Sequence, residues 1–436
     1  MGRAICNALA KAGEIFMTGQ SSKGNHVSVT GTATVMTGNE AAATAAKLAR
    51  VQVVAAYPIT PQSPVVEQIS AWVESGELPA EFVAVESEHS ALSVCIGAST
   101  VGARTFTATS SNGLAYMTEQ VWWAAGARLP IVMCIANRAM AAPWNVLNDQ
   151  QDSMSVRDAG WVQLYCRDNQ EILDTTIQAF RLAEELSVPV MVCYDGFLLS
   201  HTVMPVELPA PEVVDAFLPP RTDALQVIDP TDPRNVGPVV MADPRADADG
   251  VMRPGYMEFR AMHQAAIISA LEVVPRIDGE FGEQIGRTWG GLVWEQDLDD
   301  ADVVLVAAGS ITTQLALVAE QLRQEGMRVG VLGIRCYRPF PAAVLADRLA
   351  GRNLAIVFDK AMSYGYEGPI CADIKAALYG QPDAPAVFGT ISGLGGRDTS
   401  PEDLADTTRR AVADHAAGIR TRPTEWVNLK MTGGAR

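Results

Sequence analysis

"VQVVAAYPITPQSPVVE", residues 51–67, changes character twice within a short span. The run VQVVAAY reads as a buried strand. "YPITP", Tyr57–Pro61, then brackets a threonine with two prolines, each fixing its own φ and biasing its predecessor toward extended backbone. A helical pattern, "PVVEQISAWVES", follows at once. A strand that ends in a rigid elbow and passes directly into a helix is the opening half of a parallel-sheet crossover. The elbow holds the Thr60 hydroxyl at the carboxyl end of that strand.

The surrounding sequence repeats the plan. Over residues 38–196, the strand patterns VQVVAAY, EFVAVE, RTFTATS, LPIVMCIANR, WVQLYCRD and VPVMVCYDG alternate with helical patterns. The first helical pattern is NEAAATAAKLAR, for which Asn39 suits the N-cap. Apolar strands separated by amphipathic helices imply an α/β domain with a parallel sheet covered on both faces. From Met204 to Pro254 the pattern dissolves into prolines and scattered aspartates, which reads as a wrapping linker. A second α/β set follows, with strands ADVVLVAAG, RVGVLGIRC, LAIVFDK and AVFGTISG. The expected organisation is an extension over 1–34, a first doubly wound domain over 35–203, a Pro-rich linker over 204–258 and a second doubly wound domain over 259–436.

Bulk properties narrow the function. A net charge of -17 over 436 residues argues against nucleic acid or anionic membrane as partners. No apolar run approaches the roughly eighteen residues of a membrane-spanning helix. The start, "MGRAICNALAKAGEIFMTG", lacks a long apolar core and carries Glu14, so it does not read as a signal peptide. The seven cysteines are dispersed and several sit in strand-like runs, which suits reduced core residues in a cytoplasmic protein. Neighbouring cysteines that could hold zinc or an iron–sulfur cluster are absent. Walker A, G-x-G-x-x-G and G-x-S-x-G motifs are absent as well.

The chemistry therefore falls to the strand ends, where open α/β sheets bind ligands. The first offers Thr60, the next Glu86 and Glu88 in "ESEHSA", and a later one Asn137 and Arg138 in "ANRA". A hydroxyl, a carboxylate and a guanidinium thus converge on one edge of the sheet in this reading. Each also has an ordinary role: a turn cap, a first-turn helix acid, a surface ion pair.

"AAYPITPQSP", "ESEHSALSVCIGAS", "ANRAMAAPWNVLNDQQDSMSVRDAGW", "CYDGFLLSHT", "IRCYRPFP" and "GLGGRD" resemble, in this order, the α subunit of the 2-oxoacid:acceptor oxidoreductases. That family includes pyruvate:ferredoxin oxidoreductase and its aryl-glyoxylate relatives. The resemblance runs from about Val35 to about Ala417 and leaves the amino-terminal extension outside. It implies a thiamine diphosphate pyrimidine-binding domain followed by a transketolase C-terminal-like domain. It further implies an oxygen-sensitive enzyme of anaerobic metabolism that decarboxylates a pyruvate-like or phenylglyoxylate-like 2-oxoacid to an acyl-CoA, with CoA as cosubstrate.

By the same resemblance, Glu88 is the carboxyl group at N1′ of the pyrimidine, with Glu86 as the fallback, and Pro58 and Ile59 adjoin the cofactor. Such a carboxyl must share a proton and be partly desolvated, which raises its pKa. Thr60 and Arg138 match the residues at the substrate carboxylate, where a guanidinium fork suits a bidentate anion. The diphosphate and its Mg²⁺ are implied to lie on a β subunit, since no Gly-Asp-Gly occurs here and "YDGF" around Asp195 lacks the first glycine. The iron–sulfur clusters are implied to lie in γ and ferredoxin-like subunits rather than in this chain, with a flavin subunit linking to NAD as one acceptor route. Trp144 and Asn145 fall near the implied acyl pocket. Arg335, Arg338 and Arg397 look structural or interfacial, the other reading being contacts to CoA phosphates. Two rival readings are a stand-alone transketolase-like enzyme and a non-catalytic scaffold subunit.

Overall fold

The computed structural model describes residues 31–220 and 255–430. Its first large sheet contains β2 (Val53–Ala56), β3 (Glu81–Ala84), β4 (Thr105–Thr109), β5 (Ile131–Asn137), β6 (Val162–Tyr165) and β7 (Val190–Asp195). All six pair in parallel, in the spatial order β6-β7-β5-β4-β2-β3. The helices are α1 (Gly38–Leu48) before β2, α2 (Ser63–Glu74), α3 (Glu88–Thr100), α4 (Ser111–Tyr116), α5 (Thr118–Gly126), α6 (Gln151–Ser155) and α7 (Asn169–Leu186). β4 and β5 are buried along their whole length, as expected of strands covered on both faces. The path β2–α2–β3 winds toward one edge, and β3–α3–β4 reverses past β2. Right-handed crossovers then place α2 and α3 on opposite faces. The reversal opens a crevice between the carboxyl ends of β2 and β4, where ligands bind in such sheets.

The second sheet has the order β15-β14-β13-β10-β11-β9. Its strands are β9 (Val293–Gln296), β10 (Val303–Ala308), β11 (Val329–Ile334), β13 (Leu354–Asp359), β14 (Ala386–Ile391) and the short β15 (Glu425–Trp426). All pair in parallel except the edge strand β9. One face packs on α10 (Ile311–Gln324) and α13 (Pro401–Ala416) in a core of its own. The other face, under α11 (Ala342–Leu349) and α12 (Pro369–Leu378), is continuous with the core of the first sheet.

Four expectations need correction. The extension over 1–34 ends inside β1 (Thr32–Met36), which pairs antiparallel with β8 (Met204–Leu208); residues 1–30 lie outside the described residues. The linker over 204–258 thus opens with a strand and a helix, α8 (Pro211–Phe217), while 221–254 lies outside the described residues. Residues 259–285 belong to a long helix, α9 (Tyr256–Ile285), that packs on the first sheet's helices. Gln178 of α7 bonds Asp278, His263 bonds the Gly160 carbonyl, and Phe281 stacks edge-on against Phe217. Finally, "IRCYRPFP" supplies β12 (Cys336–Arg338), which leaves its own domain and pairs antiparallel with β6 on the first sheet.

Arg335, beside β12, is buried against Glu171, Thr175, Gln178 and the Gly291 carbonyl. Arg338 pairs with Asp373. Both therefore hold the two sheets together. The six cysteines among the described residues are buried free thiols. No helix among the described residues is long and apolar enough to cross a membrane.

Candidate active site

The elbow after β2 is held by tertiary bonds as well as by its prolines. Asn39 does not cap α1: Thr37 does, in a capping box with Glu40. Asn39 instead donates to the Pro61 carbonyl at 2.7 Å and accepts from the buried Tyr194 hydroxyl at 2.9 Å. Pro61 also lies against Gly196, where a Cβ would stand 2.8 Å from its ring and 2.5 Å from the Asn137 carbonyl. Pro58 and Thr60 are exposed at the lip, with Ile59 half-buried between them. The Thr60 hydroxyl bonds no described residue, whereas its backbone carbonyl accepts a 2.7 Å bond from Nη1 of Arg138.

Arg138 follows the last residue of β5 and is 3% exposed. Its guanidinium lies 4.9 Å over the Trp144 ring, and its Nε donates to the Asn145 carbonyl at 3.4 Å. Nη2 is buried and has no partner among the described residues. Burial pulls its pKa below the ordinary arginine value, against the opposing pull of Asp152. A guanidinium with two committed nitrogens and one open nitrogen, beside a crevice, can take an anion.

The two glutamates after β3 diverge. Glu86 is exposed, and its carboxylate accepts from the Ser90 hydroxyl, which holds it below the usual carboxylate range. Glu88 is the first residue of α3, behind the N-cap Ser87, and is 8% exposed. No described residue donates to its carboxylate. Gly113 passes directly against it: a Cβ there would fall 2.7 Å from Glu88 Oε1 and 2.5 Å from Thr109 Oγ1. The Thr109 hydroxyl is likewise buried without a partner. Glu88 is thus an unpaired, largely desolvated carboxyl in a cradle that only glycine permits.

Among the described residues Glu88 makes no hydrogen bond or ion pair with Thr60 or Arg138; α4 links the two sides. Gly113 of α4 borders Glu88. Two residues earlier, the Ser111 amide donates to Asp152 at 2.8 Å. Asp152 also accepts from the Arg138 amide at 3.0 Å and from Asn137 Nδ2 at 2.7 Å. Asn112 accepts from the Ala141 amide. Burial pushes Asp152 up to about 7, although these donors favour its charged form. Nothing local in "NDQQDS" singles out Asp152, because these three donors come from remote strand and helix ends.

Asp195, at the end of β7, is engaged by protein groups. It meets Lys360 of the second sheet at 2.6 Å, with Ser310 and Asn148 on its remaining lone pairs. Burial alone would raise its pKa, but Lys360, Ser310 and Asn148 hold it below the ordinary aspartate value. Among the described residues no group of His, Cys, Asp or Glu is placed to hold a metal ion.

Known proteins share this plan. The family model "Pyruvate flavodoxin/ferredoxin oxidoreductase, thiamine diP-bdg" matches residues 44–266, and "Pyruvate:ferredoxin oxidoreductase core domain II" matches residues 301–404. The pyruvate synthase subunit PorA of Methanocaldococcus jannaschii is 45% identical over 400 residues, covering 91% of this chain and 98% of the relative. The ketoisovalerate oxidoreductase subunit VorA of Pyrococcus abyssi is 43% identical over 399 residues, with the same coverage of each chain. A solved 2-oxoglutarate:ferredoxin oxidoreductase from Magnetococcus marinus, with 2-oxoglutarate, coenzyme A and succinyl-CoA bound, matches with a TM-score of 0.64. At 19% identity, over 87% of this chain and 65% of that one, it speaks for the fold alone.

Proposed function

The chain belongs to the α-subunit family of the 2-oxoacid:ferredoxin oxidoreductases, and from that premise we propose that it supplies the pyrimidine-binding and substrate-carboxylate half of a shared thiamine diphosphate site. The reaction is 2-oxoacid plus CoA to acyl-CoA, CO₂, a proton and two electrons. The electrons leave through iron–sulfur partner subunits to ferredoxin or, through a flavin subunit, to NAD. A β subunit supplies the Mg²⁺–diphosphate half-site, and the setting is a cytoplasmic complex of anaerobic metabolism.

The observation that carries this reading is the unpaired Glu88 carboxyl in its Gly113 cradle at the sheet's switch point. A carboxyl left without a protein partner is suited to a ligand nitrogen that shares its proton. When bound, thiamine diphosphate would supply a carbon nucleophile and an electron sink for decarboxylation. Glu88 holds or gives a proton at N1′ of the pyrimidine, and its burial strengthens that bond. Pro58 and Ile59 form the apolar lip. Arg138 binds the 2-oxoacid carboxylate through Nη2, with Nη1 fixed on the elbow and its plane set by Trp144. The Thr60 hydroxyl is the second donor.

The substrate is a small aliphatic 2-oxoacid, a reading supported by relatives named for pyruvate and ketoisovalerate. Trp144, 71% exposed beside Arg138, is the candidate wall for the acyl group. Assay of the complex against pyruvate, 2-oxoisovalerate, 2-oxoglutarate and phenylglyoxylate with CoA tests this. Preference for phenylglyoxylate would overturn the aliphatic assignment, and full activity of Glu88→Gln would overturn the site.

A further inference from the structure

We infer that the glycine turn of the second domain, Gly393–Arg397, is a positioning element for Arg138, acting through Asn145; the inference rests on the reading of Arg138 as the carboxylate-binding residue. Between β5 and α6 the chain forms an arm, residues 139–149, that carries Trp144 under the guanidinium and the Asn145 carbonyl on Nε. The arm's internal bonds are few. The Ala139 amide donates to the Leu147 carbonyl at 3.0 Å, and the Leu147 amide to Asn145 Oδ1 at 2.7 Å.

The first domain holds the arm's start through Ser111 and Asn112 and meets Asn148 through Asp195, while the other domain grips its second half. Asn145 Nδ2 donates to the Gly395 carbonyl at 2.8 Å, the Gly396 amide donates to the Asn148 carbonyl at 2.7 Å, and the Gly395 amide donates to Asp149 at 3.1 Å. These three bonds grip the arm from Asn145 to Asp149. Just beyond it, the Gln150 amide and side chain are held by the carbonyls of Lys360 and Ala308, at the carboxyl ends of β13 and β10.

The turn must be glycine at two positions for this grip to form. Gly395 and Gly396 have φ of 54° and 69°, which L side chains rarely adopt. A Cβ would stand 2.5 Å from Asn145 Nδ2 at the first and 2.5 Å from Leu147 Cβ at the second. Any side chain there pushes the arm, and with it the face on which the Arg138 plane rests. Thus residues some 250 positions apart in the chain meet to set one guanidinium. Displacing a substrate-binding group by an ångström costs up to about a hundredfold in rate, so a partial loosening should cost less.

Asn145→Ala removes both side-chain bonds of the arm's pivot. Its side chain faces a polar cavity of about 430 Å³ that the glycine turn also lines, so the change leaves the core intact. Gly395→Ala attacks the same contact from the other domain. In the assembled complex each should raise KM for the 2-oxoacid roughly fivefold, with kcat, KM for CoA and thiamine diphosphate affinity little changed. Amides of residues 138–149 should exchange faster with deuterium in both variants. Combined with Arg138→Lys, Asn145→Ala should add almost nothing to KM, because the two act through one group.

A lowered melting temperature with KM unchanged would make the turn merely structural and overturn the inference, as would additive effects in the double variant. If Arg138→Lys by itself leaves KM unchanged, the carboxylate assignment is what has failed, and the positioning role falls with it.

Discussion

The two parallel sheets turn their carboxyl edges toward one another, yet use their strand-end charges differently. At the second sheet every strand-end charge is committed to structure. Asp359 accepts the amides of Ile370 and Cys371 at the start of α12, and Lys360 is locked on Asp195. At the first sheet, Glu88 has no donor and Arg138 keeps Nη2 open, although both are buried. A buried charge without a partner costs stability, a cost that a ligand bound at this edge would offset. The same doubly wound plan thus serves as scaffold in one half and as reactive edge in the other.

The sharpest way to break this contrast is to leave a charge unpaired on the scaffold side. Lys360→Met strands Asp195 in the core, and removing one partner of a buried pair costs about 3–5 kcal/mol. Chemical denaturation at pH 7 should show that loss. The sign with pH follows from linkage. The paired Asp195 has its folded pKa below the unfolded value of about 3.9, so its contribution is present above that pH and is lost as pH falls through the folded pKa. Without Lys360, burial raises the folded pKa, so the penalty is full at neutral pH and vanishes once both states are protonated. The difference between the two proteins should therefore shrink on acidification; a constant gap from pH 7 to 3 would count against the pairing.

On the reactive side the opposite pattern is expected: chemistry is lost and stability is not. Glu88→Gln keeps the shape but cannot exchange a proton with the pyrimidine, so turnover of the complex should fall about a hundredfold or more. Glu86→Gln removes only a solvated bond to Ser90 and should leave turnover near wild type. Steady-state rates of the two variants decide between them, and the reverse ranking would move the site by two residues.

Arg138→Lys keeps the positive charge but loses the fork and the stack on Trp144. KM for the 2-oxoacid should rise about ten- to a hundredfold, the range of a hydrogen bond to a charged group, with thiamine diphosphate still bound. An unchanged KM would return Arg138 to the scaffold class, tied only to the Thr60 carbonyl.

The contrast was half legible in the sequence. Strands buried on both faces read as continuous apolar runs, and polar residues stand out where those runs end, which marks Thr60, Glu86, Glu88, Asn137 and Arg138, while the choice of Glu88 over Glu86 rests on the family resemblance. What stayed hidden depends on distant partners. Asn39 looked like a helix cap by local rules, but a closer cap at Thr37 freed it to tie down Pro61. Asp152 sits in an unremarkable polar run, and its donors Ser111, Asn137 and Arg138 are far from it in sequence. β12 is three residues long, too short to show a period, and it pairs outside its own domain. α9 is masked in the sequence because its first half is largely exposed and carries apolar residues on its outer side, Met257, Met262 and Ile268 among them.

The smallest effect tests the elbow itself. Two atoms of Thr60 compete to explain why the prolines hold it so stiffly. The carbonyl already has a role, since it anchors Arg138 Nη1. The hydroxyl is exposed at the lip and bonds no described residue, the same unpaired condition that marks the reactive edge. Thr60→Val keeps the β-branch, the backbone and the carbonyl bond, and deletes only the hydroxyl. If the hydroxyl reaches the substrate carboxylate, KM for the 2-oxoacid should rise a few-fold, the equivalent of about 1 kcal/mol for a single neutral donor, with the melting temperature unchanged. An identical KM in Thr60→Val, beside a raised KM in Arg138→Lys, would show that the elbow exists to hold the guanidinium through its carbonyl. Thr60 would then belong with Asp359 and Lys360 as scaffold, and the reactive edge would narrow to Glu88 and Arg138.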